Sequence, residues 1–170
     1  MNKFGQINCK NCGKLFTPKQ PSHTICYECY KKDGTQEIDL SPNYLTNAYF
    51  DTKGNLFEEL VTTSAEDIAE KLGKAKPQMT KHQLRRFYNH VKSLERKLDL
   101  TNDYQTINTE LKMLISYASN AACKSSPSIP RIFEKFIRKN LEMVKDAKTF
   151  RGFIEHFQAV VGFCECYLKK

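Results

Sequence analysis

Tryptophan is absent from this 170-residue chain, and its seven glycines are scattered, so none of the glycine-rich loops that cradle phosphates in nucleotide enzymes can form. There is also no nucleophile elbow and no paired His-Glu pattern of a metalloprotease. The four histidines are dispersed: His23 in a loop, His82 and His90 on the polar side of one helix, His156 on the last helix. Catalysis is therefore not indicated, and no small-molecule substrate is expected. No apolar run approaches the roughly 20 residues needed to cross a bilayer. The opening MNKFGQINCKNC has a cysteine pair where a signal peptide would need an apolar stretch. A cytoplasmic protein without a membrane partner is the expectation, and no repeat of solenoid length is present.

What is there is enough for a core. Forty per cent of the residues are apolar, which suits one domain of ordinary size plus a small appendage. The net charge is +8, and its distribution says more than its total. Residues 1–36 carry six Lys against Glu28 and Asp33, a net of +4, whereas residues 37–79 carry eight acids against four Lys, a net of −4. Residues 80–100 carry six Lys and Arg against two acids, and 128–170 nine against five, so each is again +4. Segregation of this kind is the footprint of a polyanion binder, and a basic surface can also serve solubility or an acidic protein partner.

Four of the seven cysteines form two Cys-x-x-Cys knuckles, Cys9 with Cys12 and Cys26 with Cys29, separated by thirteen residues. Two such knuckles can set four thiolates tetrahedrally around one Zn2+ ion, with Gly13 at the sharp turn of the first. A redox dithiol would need only one pair. His23 could replace one thiolate, but four already complete the shell, so it reads as a loop residue. The site is expected to be structural, because a catalytic zinc keeps an open position, and the metal must supply much of the folding free energy of so small a segment. Lys3, Lys10, Lys14, Lys19 and Lys31 give this segment a basic surface that fits nucleic acid or protein. Cys164 falls on an apolar stripe and reads as a small core residue.

The stretch Thr80 to Leu98, TKHQLRRFYNHVKSLERKL, states a fold and a chemistry together. Leu84, Phe87, Tyr88, Val91, Leu94 and Leu98 recur three and four apart and form one helical stripe. Thr80 with Gln83 is a capping box, and Pro77 bars helix from entering upstream. Lys81, Arg85, Lys92 and Arg96 project as a second stripe, on the order of 20 Å long, beside which Glu95 lies near the apolar margin. Intrahelical pairing alone would leave most of this ridge charged.

Around this helix the rest is read as follows. Residues 1–36 form the zinc segment, and 37–63 a linker containing an extended piece, YFDTKGNLFEEL, with a turn at Lys53-Gly54-Asn55. Residues 64–170 form a helical bundle. Within it Ser64 caps a short acidic helix that Gly73 ends. A further helix follows Asn102 and Asp103, with Ile107, Leu111, Leu114, Ile115, Ala118 and Ala121 inward. Another spans Arg131 to Lys148, burying Ile132, Phe133, Phe136, Ile137, Leu141 and Val144 and carrying a second ridge of Arg131, Lys135, Arg138 and Lys145. From Thr149 a last helix, FRGFIEHFQAVVGFCECYLKK, supplies most of the core, with Phe163 and Tyr167 at its edge. The fold class is all-α, a bundle of about five helices with a small N-terminal zinc-binding segment built on four cysteines.

DIAEKLG, then LRRFYNHVKSLER, and near the end FRGFIEHFQAVVGF, in this order over about residues 50–168, resemble the small subunit of type III-A CRISPR-Cas interference complexes, the Csm small subunit. The N-terminal cysteine segment departs from minimal members. The resemblance implies a non-enzymatic helical protein in antiviral defence that stacks in several copies and associates with the other Csm subunits. It would contact the backbone of guide RNA and target RNA. The basic residues that would serve are Arg85, Lys92 and Arg96, with Lys81 and Arg86, then Arg131, Lys135 and Arg138. The runner-up is a zinc-ribbon regulator that binds DNA or a transcription component, with the helical body as its dimerisation part.

Overall fold

A computed structural model describes residues 5–20, 22–29, 38–46 and 48–169. Lys3 and Lys31 of the expected basic surface lie outside these. The chain divides into two compact units, Met1–Glu37 and Ile38–Lys170.

In the first unit, β1 (Ile7–Asn8) and β2 (Leu15–Phe16) pair antiparallel, with Ile7 opposite Phe16 and Asn8 opposite Leu15. The cysteine knuckle is the connection of this hairpin. Gly13 takes φ +72°, the left-handed conformation that a residue with a Cβ adopts only at a cost, and its amide closes the turn on the Cys9 carbonyl at 2.9 Å.

The second unit is all-α. After the single turn α1 (Glu58–Val61) come α2 (Thr63–Lys74), α3 (Lys81–Thr101), α4 (Gln105–Cys123), α5 (Arg131–Met143) and α6 (Ala147–Tyr167). Helix α3 begins where its sequence says. The Thr80 side chain accepts from the Gln83 amide, and the Gln83 side chain accepts from the Thr80 amide. It ends at Asn102 in the left-handed region, whose N–H bonds the Leu98 carbonyl at 2.7 Å. Helix α6 lies against α1, α2, α3 and α5, and α4 against α3 and α5. Phe150, Phe153, Ile154, Phe157, Val160 and Cys164 of α6 are buried. Phe157 stands 5.4 Å from Phe136, 5.6 Å from Phe153 and 5.5 Å from Tyr88 by ring centroids, so the aromatic residues of three helices meet along one line. Phe163 and Tyr167 pack partly buried against this core.

Three boundaries differ from the sequence reading. Helix α2 starts after Thr62, which leaves Ser64 inside the first turn rather than at the cap, and it runs through Gly73 to Lys74. The helix expected over 131–148 stops at Met143, because Asp146 caps a new helix: its carboxylate accepts from the Thr149 amide at 2.7 Å. Lys145 therefore sits in the connection and leaves the α5 ridge. Of residues 37–63, read as a linker with an extended piece, Tyr44, Leu45, Tyr49 and Leu60 enter the bundle core. Gly152 permits this, since a Cβ there would stand 2.9 Å from the Tyr49 Cβ and 3.0 Å from the Phe50 ring.

A buried polar cluster fastens that segment. The Leu60 carbonyl accepts from His156 Nδ1, which fixes the neutral tautomer with Nε2 as acceptor. Tyr44 then donates to Nε2 at 2.7 Å, Asn140 donates to the Tyr44 hydroxyl at 2.7 Å, and Tyr49 donates to Asn140 Oδ1 at 2.8 Å. Burial lowers the pKa of His156 to about 4 and pushes both tyrosines up.

Candidate nucleic-acid face and metal centre

The ridge residues of α3 do project to one side, but several meet carboxylates of the same protein. Lys81 Nζ lies 3.0 Å from Glu165 Oε2 and donates to the Glu165 carbonyl at 2.8 Å, while Arg85 reaches Glu165 Oε1 at 2.6 Å. The hydrogen bond from Lys81 holds Glu165 below the usual carboxylate range, with Arg85 adding to it against some desolvation. Lys92 pairs with Glu95 one turn on, and the hydrogen bond it donates to that carboxylate raises its pKa. Within the helix, among the described residues, pairing reaches Lys92 alone, in line with the sequence reading, and Lys81 and Arg85 are compensated from another helix. Glu165 comes from the end of α6, which no projection of α3 alone can reveal. Among the described residues, Arg86 and Arg96 are the exposed arginines of α3 for which no ion pair forms.

The second ridge divides in the same way. Arg131 is exposed at the start of α5. Lys135 donates to Asp39 at 2.8 Å and thereby lowers the pKa of that acid. Arg138 binds Glu134 Oε1 at 2.6 Å and the Ser119 hydroxyl at 3.0 Å, joining α5 to α4. The Arg85–Glu165 pair is exposed on both sides, and such a pair contributes little to stability and is screened by salt, so a phosphate can take over the cation; the other pairs each have a partly covered member. The structure does bring all eight predicted cations onto α3 and α5, and five of them are held in place by neighbouring acids.

In the N-terminal unit the four sulfurs of Cys9, Cys12, Cys26 and Cys29 all lie within 4.8 Å of one another, close enough for one metal ion. Cys9, Cys26 and Cys29 are buried, and Cys12 is exposed. The Cys26 amide donates to Cys9 Sγ at 3.2 Å and the Cys29 amide to Cys26 Sγ at 3.5 Å. Burial pushes the Cys9 thiol up, but backbone donors from Cys26, Cys12 and Asn11 outweigh it and bring it down to about 6. Cys29 is raised, first by its hydrogen bond with Cys12 and then by burial. The cluster thus already favours a thiolate at one sulfur, the form that ligates metal. His23 lies on the rim of a neighbouring cleft with Phe16 and Tyr27, apart from the four-sulfur cluster.

Among the described residues no helix is long and apolar enough to cross a membrane. The family model described as Csm2 Type III-A matches residues 57–170, which takes in every helix of the second unit and stops short of the cysteine cluster. No curated protein and no solved structure matches the chain.

Proposed function

The chain belongs to the Csm2 Type III-A family, small subunits of the type III-A Csm complex, and from that premise we propose that it binds the backbone of guide and target RNA without carrying out chemistry itself. The observation that carries the reading is the extent of the match, which spans both cation-bearing helices. Arg86, Arg96 and Arg131, exposed and without a carboxylate partner among the described residues, make first contact with phosphates. Arg85, Lys81, Lys92, Lys135 and Arg138 exchange an intramolecular pair for a phosphate, so Glu165, Glu95, Asp39 and Glu134 hold them extended until RNA arrives. Binding by charge is independent of sequence, which suits a subunit whose complex reads sequence by base pairing. Copies of the protein stack on one another and on the other Csm subunits, in the cytoplasm.

The metal is zinc, and its role is structural. Sulfurs about 2.3 Å from a tetrahedral zinc stand roughly 3.8 Å apart, and Cys12 and Cys26 are already 3.7 Å apart. Four thiolates fill the shell and leave no position for substrate.

Reconstitution tests the assignment. The purified protein should join the remaining Csm subunits on a guide RNA and increase retention of complementary target RNA. Tight binding to one DNA sequence at physiological salt, with no preference for RNA and no association with the complex, would instead support the zinc-ribbon regulator.

A further inference from the structure

On the flank of α3 turned away from the Lys81 and Arg85 ridge lies a cleft of about 590 Å³, a size typical of ligand sites. Its walls come from α3, from α4 and from the connection that follows α4. The connection is anchored: Gln83 donates to the Ser128 carbonyl at 2.9 Å, and the Ser128 amide donates to the Ala121 carbonyl at 2.9 Å. Phe87 lies in the lining, itself fixed edge-on against Phe133 at 5.0 Å. Tyr117 is 47% exposed and meets the His90 ring edge-on, with centroids 6.3 Å apart. His90 Nε2 is buried and has no hydrogen-bond partner, the sole side-chain nitrogen or oxygen in that state among the described residues. Arg86 and Lys124 complete the lining, both exposed and without an ion pair among the described residues, and no acid lines the cleft.

Each of these features asks for a different part of one ligand. A buried nitrogen without a partner is a standing cost that a ligand atom can remove. The exposed Tyr117 ring, with the partly buried Phe87 beside it, offers a stacking surface, and two cations with no acid among them favour an anion. Base, base edge and phosphate together make a nucleotide. An acidic peptide would satisfy Arg86 and Lys124 but leave the rings and the imidazole unused. Paired bases in a duplex cannot present a face, so the nucleotide must be unstacked. We propose that this cleft holds one unstacked nucleotide of single-stranded RNA, its base against Tyr117 and Phe87 with an edge toward His90, and its phosphate between Arg86 and Lys124. That the nucleic acid is RNA rests on the function proposed above. The cleft adds to it a contact with a base, at a place where backbone binding alone needs none.

The test uses the full-length protein with a short single-stranded RNA containing 2-aminopurine and, separately, a fully paired RNA duplex. Binding of the single strand should quench the fluorescence of 2-aminopurine. Tyr117→Ala should weaken single-strand affinity about tenfold, within the range for losing one stacked base, and leave duplex affinity unchanged. Tyr117→Phe, which keeps the ring, should retain the affinity, and Lys124→Gln, at the lining cation outside the backbone-binding set, should weaken single-strand binding and leave duplex affinity unchanged. Unchanged single-strand affinity in Tyr117→Ala overturns the cleft while the backbone reading stands. A wild-type protein that binds neither RNA overturns both. Equal binding of DNA of the same sequence, or displacement by poly-glutamate but not by nucleoside monophosphate, overturns the assignment of the ligand.

Discussion

His156 occupies a position where its neutral form alone is accommodated, with Leu60 accepting at one nitrogen and Tyr44 donating to the other. Its folded pKa of about 4 lies below the ordinary 6.5, so between these values the unfolded chain binds the proton that the folded chain refuses. Stability should be full above pH 6.5 and fall as the pH drops toward 4, by about 3 kcal/mol in all. Urea unfolding across this range checks it, and His156→Gln should remove most of the slope. Tyr44→Phe deletes the donor and leaves Nε2 buried and unpaired, at an expected cost of about 2 kcal/mol, read as a lower urea midpoint with an unchanged slope. None of this was legible in the sequence. His156 falls on its helix much as a polar-face residue would, and its partners are up to 112 positions away.

At the scale of elements, the connection between α5 and α6 is held from both sides. Asp146 caps α6, and Lys112 of α4 donates to the Leu141 and Val144 carbonyls at the end of α5, where the helix leaves its last acceptors unsatisfied. Burial, with Lys145 nearby, lowers the pKa of Lys112. Asp146→Ala and Lys112→Met should each destabilise the bundle by about 1 kcal/mol, measurable by thermal melting. Helix α3 could be read from sequence to within a few residues because both its stripe and its capping box are local. The break after Met143 could not, since Val144 continues the apolar period and only the cap at Asp146 interrupts the backbone. The ridge of cations was legible too, but its compensation was not. Arg85 and Glu165 are 80 positions apart and meet only once α6 has packed on α3.

At the scale of the whole molecule, two units with different sources of stability follow from the same chain. The helical unit has a continuous core from Tyr44 to Leu168, whereas among the described residues of the N-terminal unit the apolar cluster is Cys9, Cys26 and Cys29 with the partly buried Phe16 and Ile25. Removing the metal with a chelator, or Cys26→Ser, should unfold the first unit and leave the melting of the bundle unchanged. Metal analysis should return one zinc per chain, and loss of both transitions together would show that the units do not fold independently. The paired knuckles made this site visible in sequence, because ligand spacing is a local property.

The central claim is that the exposed cations of α3 meet RNA phosphates. Its most direct measurement is the salt dependence of RNA binding by the wild type and by the Arg86→Ala, Arg96→Ala double variant, which disturbs no internal ion pair among the described residues. Losing two phosphate contacts should weaken binding alike across duplex sequences and reduce the slope of log affinity against log salt by about 1.8. The same slope in both proteins, with the fold intact, would remove this helix from the RNA face.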